Sequence, residues 1–281
     1  MIVPRRVRFG PTTGRGTLLS VRPEATSVRT VHDSHALPGA DVVAGRLRWH
    51  VVTHGHAANG RAPLLHLHGL APASSVVWHD VARDLEHTEL CRMPDLPGLG
   101  ATERPAEGRA GLRLDRIAAR LAELIDELGH GRVVLGAHGI GGAVAAHLAA
   151  GWPERVRALV LCSTPLGTTG WPPLRLAPVL VPGVGSVVRR ALRVPHAVRE
   201  IGRAVDMESA AAAWRLVCAA PPPTLVLWGA DAVAPPSAHG RALAAESGGT
   251  FVQISDAGDL VPWERPERVA EEIAGFVSDL R

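Results

Sequence analysis

The sequence has 281 residues, 46% of them hydrophobic, and its 30 basic and 27 acidic residues leave a formal net charge of +3. A chain of this length can bury one large core, and so small a net charge predicts neither a nucleic-acid partner nor a membrane partner. All 30 basic residues are arginines. The absence of lysine excludes a Schiff-base mechanism and the covalent attachment of pyridoxal phosphate.

Residues 1–36 are predicted to form a basic, flexible extension. They show no hydrophobic period, and six arginines in the first thirty residues stand against one acidic residue, Glu24. A basic arm of this kind can bind nucleic acid or anionic lipid. Its content of Gly, Pro and Thr is more typical of a solvated tail.

Three features of the composition indicate the compartment. The cysteines Cys91, Cys162 and Cys218 are odd in number and far apart, which argues against a disulfide framework and indicates a reducing environment. No stretch approaches the roughly eighteen apolar residues of a membrane-spanning helix. The arginine-rich N-terminus lacks the apolar centre of a signal peptide. We therefore expect a cytoplasmic protein.

Strands and helices alternate from Asp41 onward. Apolar alternation predicts two strands around Gly45, and a third strand ends at His68-Gly69-Leu70. Further strands are predicted in LCRM, RVVLGA, RVRALVLCST, TLVLWG and TFVQI, and helices at 75–86, about 115–128, 237–246 and 267–280 and after Gly141. This alternation predicts a parallel sheet with helices on both faces, in which ligands bind at the carboxyl ends of the strands.

One segment interrupts the alternation. Residues 165–221 contain the proline-rich run WPPLRLAPVLVPGVG, which begins at Trp171, and continue with two helical patterns. We expect this segment to form a small helical cap above the sheet. Residues 37–164 and 222–281 then form the two parts of a single core domain.

The stretch from Arg132 to Gly151 predicts a strand, a tight turn and an alanine-rich helix. In such a turn the pattern small-x-nucleophile-x-small raises one side chain above the end of the sheet. Here the pattern places Gly139 at the raised position. The alternative register raises His138, but it puts Ile140 where backbone crowding demands a small residue. The turn therefore has no nucleophile in the favoured register.

Several motifs in order resemble the α/β-hydrolase superfamily, in the branch that includes epoxide hydrolases and haloperoxidase-like esterases. They are His68-Gly69-Leu70, Trp78, residues 95–100 with Thr102, the turn at Gly139, and Trp263-Glu264-Arg265-Pro266-Glu267. The resemblance implies an α/β-hydrolase fold with a mostly parallel eight-stranded sheet, helices on both faces and a small helical cap.

The resemblance also implies positions for a catalytic triad, which this chain does not fill. The nucleophile position is Gly139, the acid position is Ala232, and the histidine position is Asp259. The chain is therefore expected to be an atypical member without a Ser-His-Asp triad. The family's oxyanion hole is formed by backbone N–H groups, here those of Leu70 and Ile140, which do not depend on side-chain identity.

Three side chains are candidates for the catalytic acid or base, each with a structural alternative. Asp259 is a general base if apolar surroundings raise its pKa, or else it makes turn hydrogen bonds. Asp231, one residue before the acid position, reaches the site only if its loop is one residue shorter than usual; otherwise it is a surface residue. His138 either acts in catalysis or points back into packing.

Substrate binding is predicted for His68, Trp78 and Trp171. Their alternatives are a loop-holding role for His68, core packing for Trp78 and cap packing for Trp171. His66 and His68 alternate on one strand, but without a neighbouring carboxylate or cysteine motif they are a weak metal signal. We expect no metal and no cofactor.

Three functions remain open. The first is non-hydrolytic proton transfer next to a carbonyl group, as in epimerases, isomerases or cyclases of bacterial natural-product pathways; the bottromycin-type peptide epimerase is a triad-less member of the superfamily. The second is a ligand-binding paralogue without activity. The third is hydrolysis of small esters or amides by direct activation of water. The expected partner is a small-molecule or peptide substrate, for a monomer or homodimer.

Overall fold

The computed structural model describes residues 37–57, 60–70, 74–166, 203–233 and 235–280. Within these residues eight strands form one sheet. They are β1 (Ala40–Ala44), β2 (Leu47–His54), β3 (Leu64–Leu67), β4 (Cys91–Pro94), β5 (Val133–His138), β6 (Val156–Cys162), β7 (Thr224–Gly229) and β8 (Thr250–Ile254). Their order across the sheet is β1-β2-β4-β3-β5-β6-β7-β8.

Most neighbouring strands of the sheet run parallel. Only the pairs β1/β2 and β2/β4 are antiparallel, and the pairs from β4/β3 to β7/β8 are parallel. Strands β3, β5 and β7 are buried at every residue. Burial on both faces explains why the sequence shows them as continuous apolar runs. The predicted eight-stranded, mostly parallel sheet is confirmed.

Helices cover both faces of the sheet. The described residues form α1 (Ser74–Val77), α2 (His79–Leu85), α3 (Leu114–Glu127), α4 (Gly141–Gly151), α5 (Met207–Ala219), α6 (Ser237–Ser247), α7 (Val261–Glu264) and α8 (Pro266–Asp279), with short 3₁₀ turns at Gly108–Leu112 and Pro153–Arg155. Buried side chains of α3, α4, α5 and α6 form one apolar cluster, and those of α1, α2, α7 and α8 form the other.

Periodic segments fold as their sequences predict. The helix expected at about 115–128 is α3, whose apolar stripe is buried along its length. The single helix expected at 75–86 is instead two short helices, α1 and α2, separated at Trp78. The indole of Trp78 is fully buried there, and its Nε1 donates a hydrogen bond to the Leu67 carbonyl at 3.0 Å. This hydrogen bond fixes the junction between α1 and α2 against the end of β3.

Part of the predicted cap lies within the described residues. Helix α5 begins after Asp206, whose carboxylate accepts hydrogen bonds from the N–H groups of Glu208 and Ser209. Its Trp214 is buried in the same apolar cluster as α4. Helix α5 therefore belongs to the layer beside the sheet. The predicted extension at 1–36 and most of the predicted cap, including Trp171, lie outside the described residues.

Candidate functional site

The turn between β5 and α4 has the shape of a nucleophile elbow with its apex at Gly139. Gly139 has a φ of 55°, and among the described residues a Cβ there would meet only the Cα of Gly69, at 3.4 Å. By contrast, a Cβ at Gly141 would lie 2.6 Å from the backbone oxygen of His68. The apex can therefore hold a side chain, whereas position 141 must be glycine. This geometry favours the register with Gly139 at the apex.

Two backbone N–H groups lie at the elbow and at the loop beside it. Ile140 is the N-cap of α4, where the helix dipole favours negative charge, and Leu70 follows the Gly69 that packs on the apex. None of the hydrogen bonds between described residues is donated by the N–H of Leu70 or Ile140. As far as the described residues extend, both groups are open to an oxyanion or carbonyl oxygen.

His68 holds the loop that carries Leu70. Its Nδ1 donates to the Gly69 carbonyl at 2.6 Å, and its Nε2 accepts from the Leu96 N–H at 2.8 Å. Burial lowers the pKa of His68 to about 4, although the bond to Gly69 acts in the opposite direction. His68 is therefore neutral at pH 7, and both ring nitrogens are engaged by backbone. It joins the loop after β3 to the loop after β4.

Trp78 and His66 lie in the core. The two rings stack with centroids 4.5 Å apart, and both side chains are fully buried. Burial lowers the pKa of His66 to about 3. Trp78 is placed as a packing residue at the α1–α2 junction. Nowhere in the described part of the chain do three His, Cys, Asp or Glu side chains come together as metal ligands.

His138 joins the elbow to the loop after the last strand. Its Nε2 lies 2.8 Å from the backbone oxygen of Asp259. Because a carbonyl only accepts, the proton is on Nε2 and Nδ1 keeps its lone pair. Nδ1 is buried, has no hydrogen-bond partner among the described residues, and lies against Gly69. Burial lowers the pKa of His138, and the bond to Asp259 raises it in part.

Asp259 also joins two loops through its side chain. Its half-buried carboxylate accepts from the Val233 N–H at 3.2 Å, which connects the loop after β8 to the loop after β7. Glu264 in α7 supports the same loop, because its carboxylate accepts from the N–H groups of Gly258 and Leu260 at 2.6 and 2.9 Å. The carboxylate of Asp259 is therefore held at the carboxyl edge of the sheet.

The other candidate acid lies at the surface. The side chain of Asp231 is exposed, and its backbone N–H donates to the Ala257 carbonyl at 2.9 Å. Ala232, at the position where the resemblance implies the acid, is buried. The structure thus brings Gly139, His138 and Asp259 together and leaves the side chain of Asp231 outside this group.

Two residues of the site are not identified by sequence reasoning. Glu264 belongs to the Trp-Glu-Arg-Pro-Glu motif, but its two hydrogen bonds to the Asp259 loop depend on the short helix α7. The second residue is Ser163, which directly follows β6 and is not among the candidates named from the sequence. The pairing of His138 with Cys162 in the parallel ladder puts Ser163 beside Gly139.

Comparisons with known proteins agree with this architecture. A family model described as alpha/beta hydrolase fold matches residues 62–181. Lipase LipV of Mycobacterium tuberculosis is 36% identical over 115 residues, which are 41% of this chain and 42% of that protein. Epoxide hydrolase 4 of Mus musculus is 30% identical over 119 residues, which are 42% of this chain and 32% of that protein. Both matches span less than half of the relative's length.

A solved structure matches over a longer range. The thermophilic esterase from Thermogutta terrifontis shares 24% sequence identity and a TM-score of 0.69, covering 87% of this chain and 99% of the esterase. The chain has the α/β-hydrolase fold, and the sequence matches support the α/β-hydrolase superfamily. Among the helices of the described residues, none has the length and apolar character needed to cross a membrane.

Proposed function

We propose that this α/β-hydrolase-fold chain is a non-hydrolytic enzyme that moves a proton next to a carbonyl group of a small molecule or peptide. The observation that carries the proposal is Gly139, a left-handed apex with room for a nucleophile and no side chain to supply one. Attack on an electrophile from this position cannot begin. The N–H groups of Leu70 and Ile140 beside it, which donate no hydrogen bond within the described residues, still suit a developing negative charge on oxygen.

The proposed step is enolisation. A base takes a proton from the carbon next to the carbonyl. The C–H electron pair forms the C=C bond, and the π electron pair of the carbonyl moves to oxygen. That oxygen is held by the N–H groups of Leu70 and Ile140. Return of a proton to the same carbon on either face gives epimerisation, and return to another atom gives isomerisation.

We assign the base to Asp259. It is half-buried at the carboxyl edge of the sheet, and two contacts fix it: its carboxylate accepts from Val233, and its backbone oxygen accepts from His138. The Nδ1 of His138 is buried against Gly69 and is less accessible to a substrate. Asp231 is exposed, and its backbone N–H donates to the Ala257 carbonyl. His138 is therefore assigned a positioning role.

The test follows exchange of the proton next to the carbonyl for deuterium in D₂O. A panel of short peptides, thioesters and ketones is incubated with the protein, and exchange is measured by NMR. Asp259→Asn should lower the exchange rate at least about 100-fold, the typical contribution of a general base. The asparagine Oδ1 can still accept from Val233, so the loop is retained. Asp231→Asn is the matched control and should keep the wild-type rate.

Other results would support the alternative functions. If the purified protein hydrolyses p-nitrophenyl esters and Asp259→Ala abolishes this activity, the function is hydrolysis by directly activated water and not proton transfer. Binding of panel compounds without exchange or turnover would indicate a ligand-binding paralogue. If the exchange rate is unchanged in Asp259→Asn and exchange is lost in His138→Gln, the general base is His138 and not Asp259.

A further inference from the structure

Ser163 combines two features that are unfavourable to the folded state. Its φ is 44°, in the left-handed region that residues other than glycine rarely adopt. Its side chain is only 4% exposed, and its Oγ has no hydrogen-bond partner among the described residues. Glycine at this position would remove both the backbone strain and the unsatisfied hydroxyl.

The backbone of Ser163 is fixed beside the elbow. The Gly139 N–H donates to the carbonyl of Cys162 at 3.2 Å, and the Ser163 N–H donates to the carbonyl of Leu227 in β7, also at 3.2 Å. Ser163 therefore lies at the carboxyl end of β6, between the elbow and the end of β7. This is the edge at which ligands bind in a parallel sheet.

Strain and an unsatisfied buried polar group at one residue are typical of a functional site. Neither the strain nor the unsatisfied hydroxyl stabilises the folded chain. A ligand that accepts a hydrogen bond from the hydroxyl would account for both features. No hydrogen bond joins Ser163 Oγ to an imidazole within the described residues. Without an adjacent base, a serine hydroxyl is a hydrogen-bond donor and not a nucleophile.

We propose that the Ser163 hydroxyl is a substrate-binding group that donates a hydrogen bond to a carboxylate or carbonyl oxygen of the ligand. The inference rests on the proposed function, since it places this oxygen beside the carbonyl group bound by Leu70 and Ile140. It narrows the substrate class to compounds, such as carboxylic acids and amides, whose oxygen acceptors can reach both the N–H groups of Leu70 and Ile140 and the Ser163 hydroxyl.

The first test is a titration of ¹⁵N-labelled protein with phenylacetate, followed by NMR. The amide resonances of Leu70 and Ile140 should shift on binding. Ser163→Ala should raise the dissociation constant at least about 10-fold, the loss expected for one hydrogen bond to a charged acceptor. The matched control is Ser247→Ala, because Ser247 is also buried but its Oγ donates to the Leu243 carbonyl inside α6. The control should bind phenylacetate as the wild type does.

The second test separates binding from structure. Ser163→Gly should raise the melting temperature by about 2–4 °C, because it relieves the strain and removes the buried hydroxyl, while it loses the same affinity as Ser163→Ala. A structural serine would instead give a lower melting temperature in both variants. That result would overturn the inference.

The outcomes distinguish the two proposals. If phenylacetate leaves the Leu70 and Ile140 resonances of the wild type unshifted, the oxyanion site fails, and the role of Ser163 fails with it. If the wild type binds and Ser163→Ala binds equally well, only the inference about Ser163 is overturned. Labelling of Ser163 by a fluorophosphonate would also overturn it, since the residue would then be a nucleophile.

Discussion

The imidazole of His138 and the backbone of Asp259 are joined by a hydrogen bond of 2.8 Å, although the two residues are 121 positions apart. The bond runs from Nε2 to the Asp259 carbonyl and connects the strand before the elbow to the loop after the last strand. The same loop is bound to Val233 through the Asp259 carboxylate. His138 therefore controls where the proposed base lies without having to touch the substrate.

His138→Leu should lower the deuterium-exchange rate about 10-fold or more and leave phenylacetate binding unchanged. The substitution removes the hydrogen bond that His138 donates to the Asp259 carbonyl, which should also reduce the free energy of unfolding by about 1–3 kcal/mol. Exchange is measured by NMR and stability by urea denaturation. His130→Gln, which replaces a half-buried imidazole after α3, serves as the control. Full exchange activity in His138→Leu would contradict the positioning role.

Gly139→Ser should fold and remain without esterase activity. Within the part of the chain that the structure describes, a Cβ at position 139 meets only Gly69, so the side chain fits, and the left-handed φ of 55° adds about 1 kcal/mol of strain. The serine has no histidine placed to accept its proton, because the position that would supply one is Asp259. Labelling with a fluorophosphonate measures the nucleophile directly. A labelled serine in this single variant would reveal a general base at the elbow.

The triple variant Gly139→Ser, Ala232→Asp, Asp259→His should gain the reactive serine that Gly139→Ser alone lacks. It fills all three positions that the resemblance implies for a triad, on loops already held by Glu264 and by the bond from His138 to the backbone of residue 259. Fluorophosphonate labelling should appear in this variant and be absent from Gly139→Ser. Equal absence of label from a folded triple variant would show that the loops do not bring the three positions into register.

Gly142→Ala should destabilise the fold by about 1–3 kcal/mol, the usual cost of overpacking a core. A Cβ at position 142 would lie 1.9 Å from Cγ2 of Thr164, whereas one at Gly151, at the other end of α4, would meet nothing within 4 Å. Gly151→Ala is thus the matched control and should be neutral or stabilising by up to about 1 kcal/mol. Urea denaturation measures both. Adding Thr164→Ala, which removes the two nearest atoms, should recover part of the loss.

Stability should fall as the pH falls from 7 to 5. Burial lowers the pKa of His66 to about 3 and of His68 to about 4, below the 6.5 of an exposed imidazole. Under pH 6.5 the unfolded chain takes up protons at these residues and the folded chain does not, so protonation favours unfolding. Each histidine should contribute a loss of about 2 kcal/mol between pH 7 and pH 5.

Urea denaturation at both pH values measures this loss. His66→Gln should reduce the difference between pH 7 and pH 5 by about 2 kcal/mol, because one buried imidazole no longer titrates. His87→Gln, at an exposed position, should retain the wild-type difference. A difference unaffected by His66→Gln would show that other groups produce the acid sensitivity.

The regular elements of the fold could be predicted because their patterns are local. The apolar stripe of α3 and the continuous apolar runs of β5 and β7 report burial that each segment shows by itself. The break at Trp78 was not predicted, since it depends on a hydrogen bond to Leu67 in another element. The predictions that residues 1–36 form an extension and that Trp171 binds substrate remain untested, because these residues lie outside the part of the chain that the structure describes.

The site was predicted less completely than the fold. The position of Gly139 follows from the pattern of the turn, and those of Leu70 and Ile140 follow from the resemblance to the α/β-hydrolase superfamily. The contact between His138 and Asp259 joins distant segments, and the left-handed φ of Ser163 has no mark in the sequence because serine usually adopts other conformations. The sequence could suggest binding by His68 and Trp78, but only the structure shows that both are fully buried.

The backbone around the elbow is tied together before any ligand arrives. His68 links the loops after β3 and β4, and Asp259 links the loops after β7 and β8. A compound binding at this edge meets a preorganised frame, so little of its affinity is lost in ordering those loops. Since these contacts involve no side chain at position 139, the recognition surface of this frame does not depend on which residue stands at the apex.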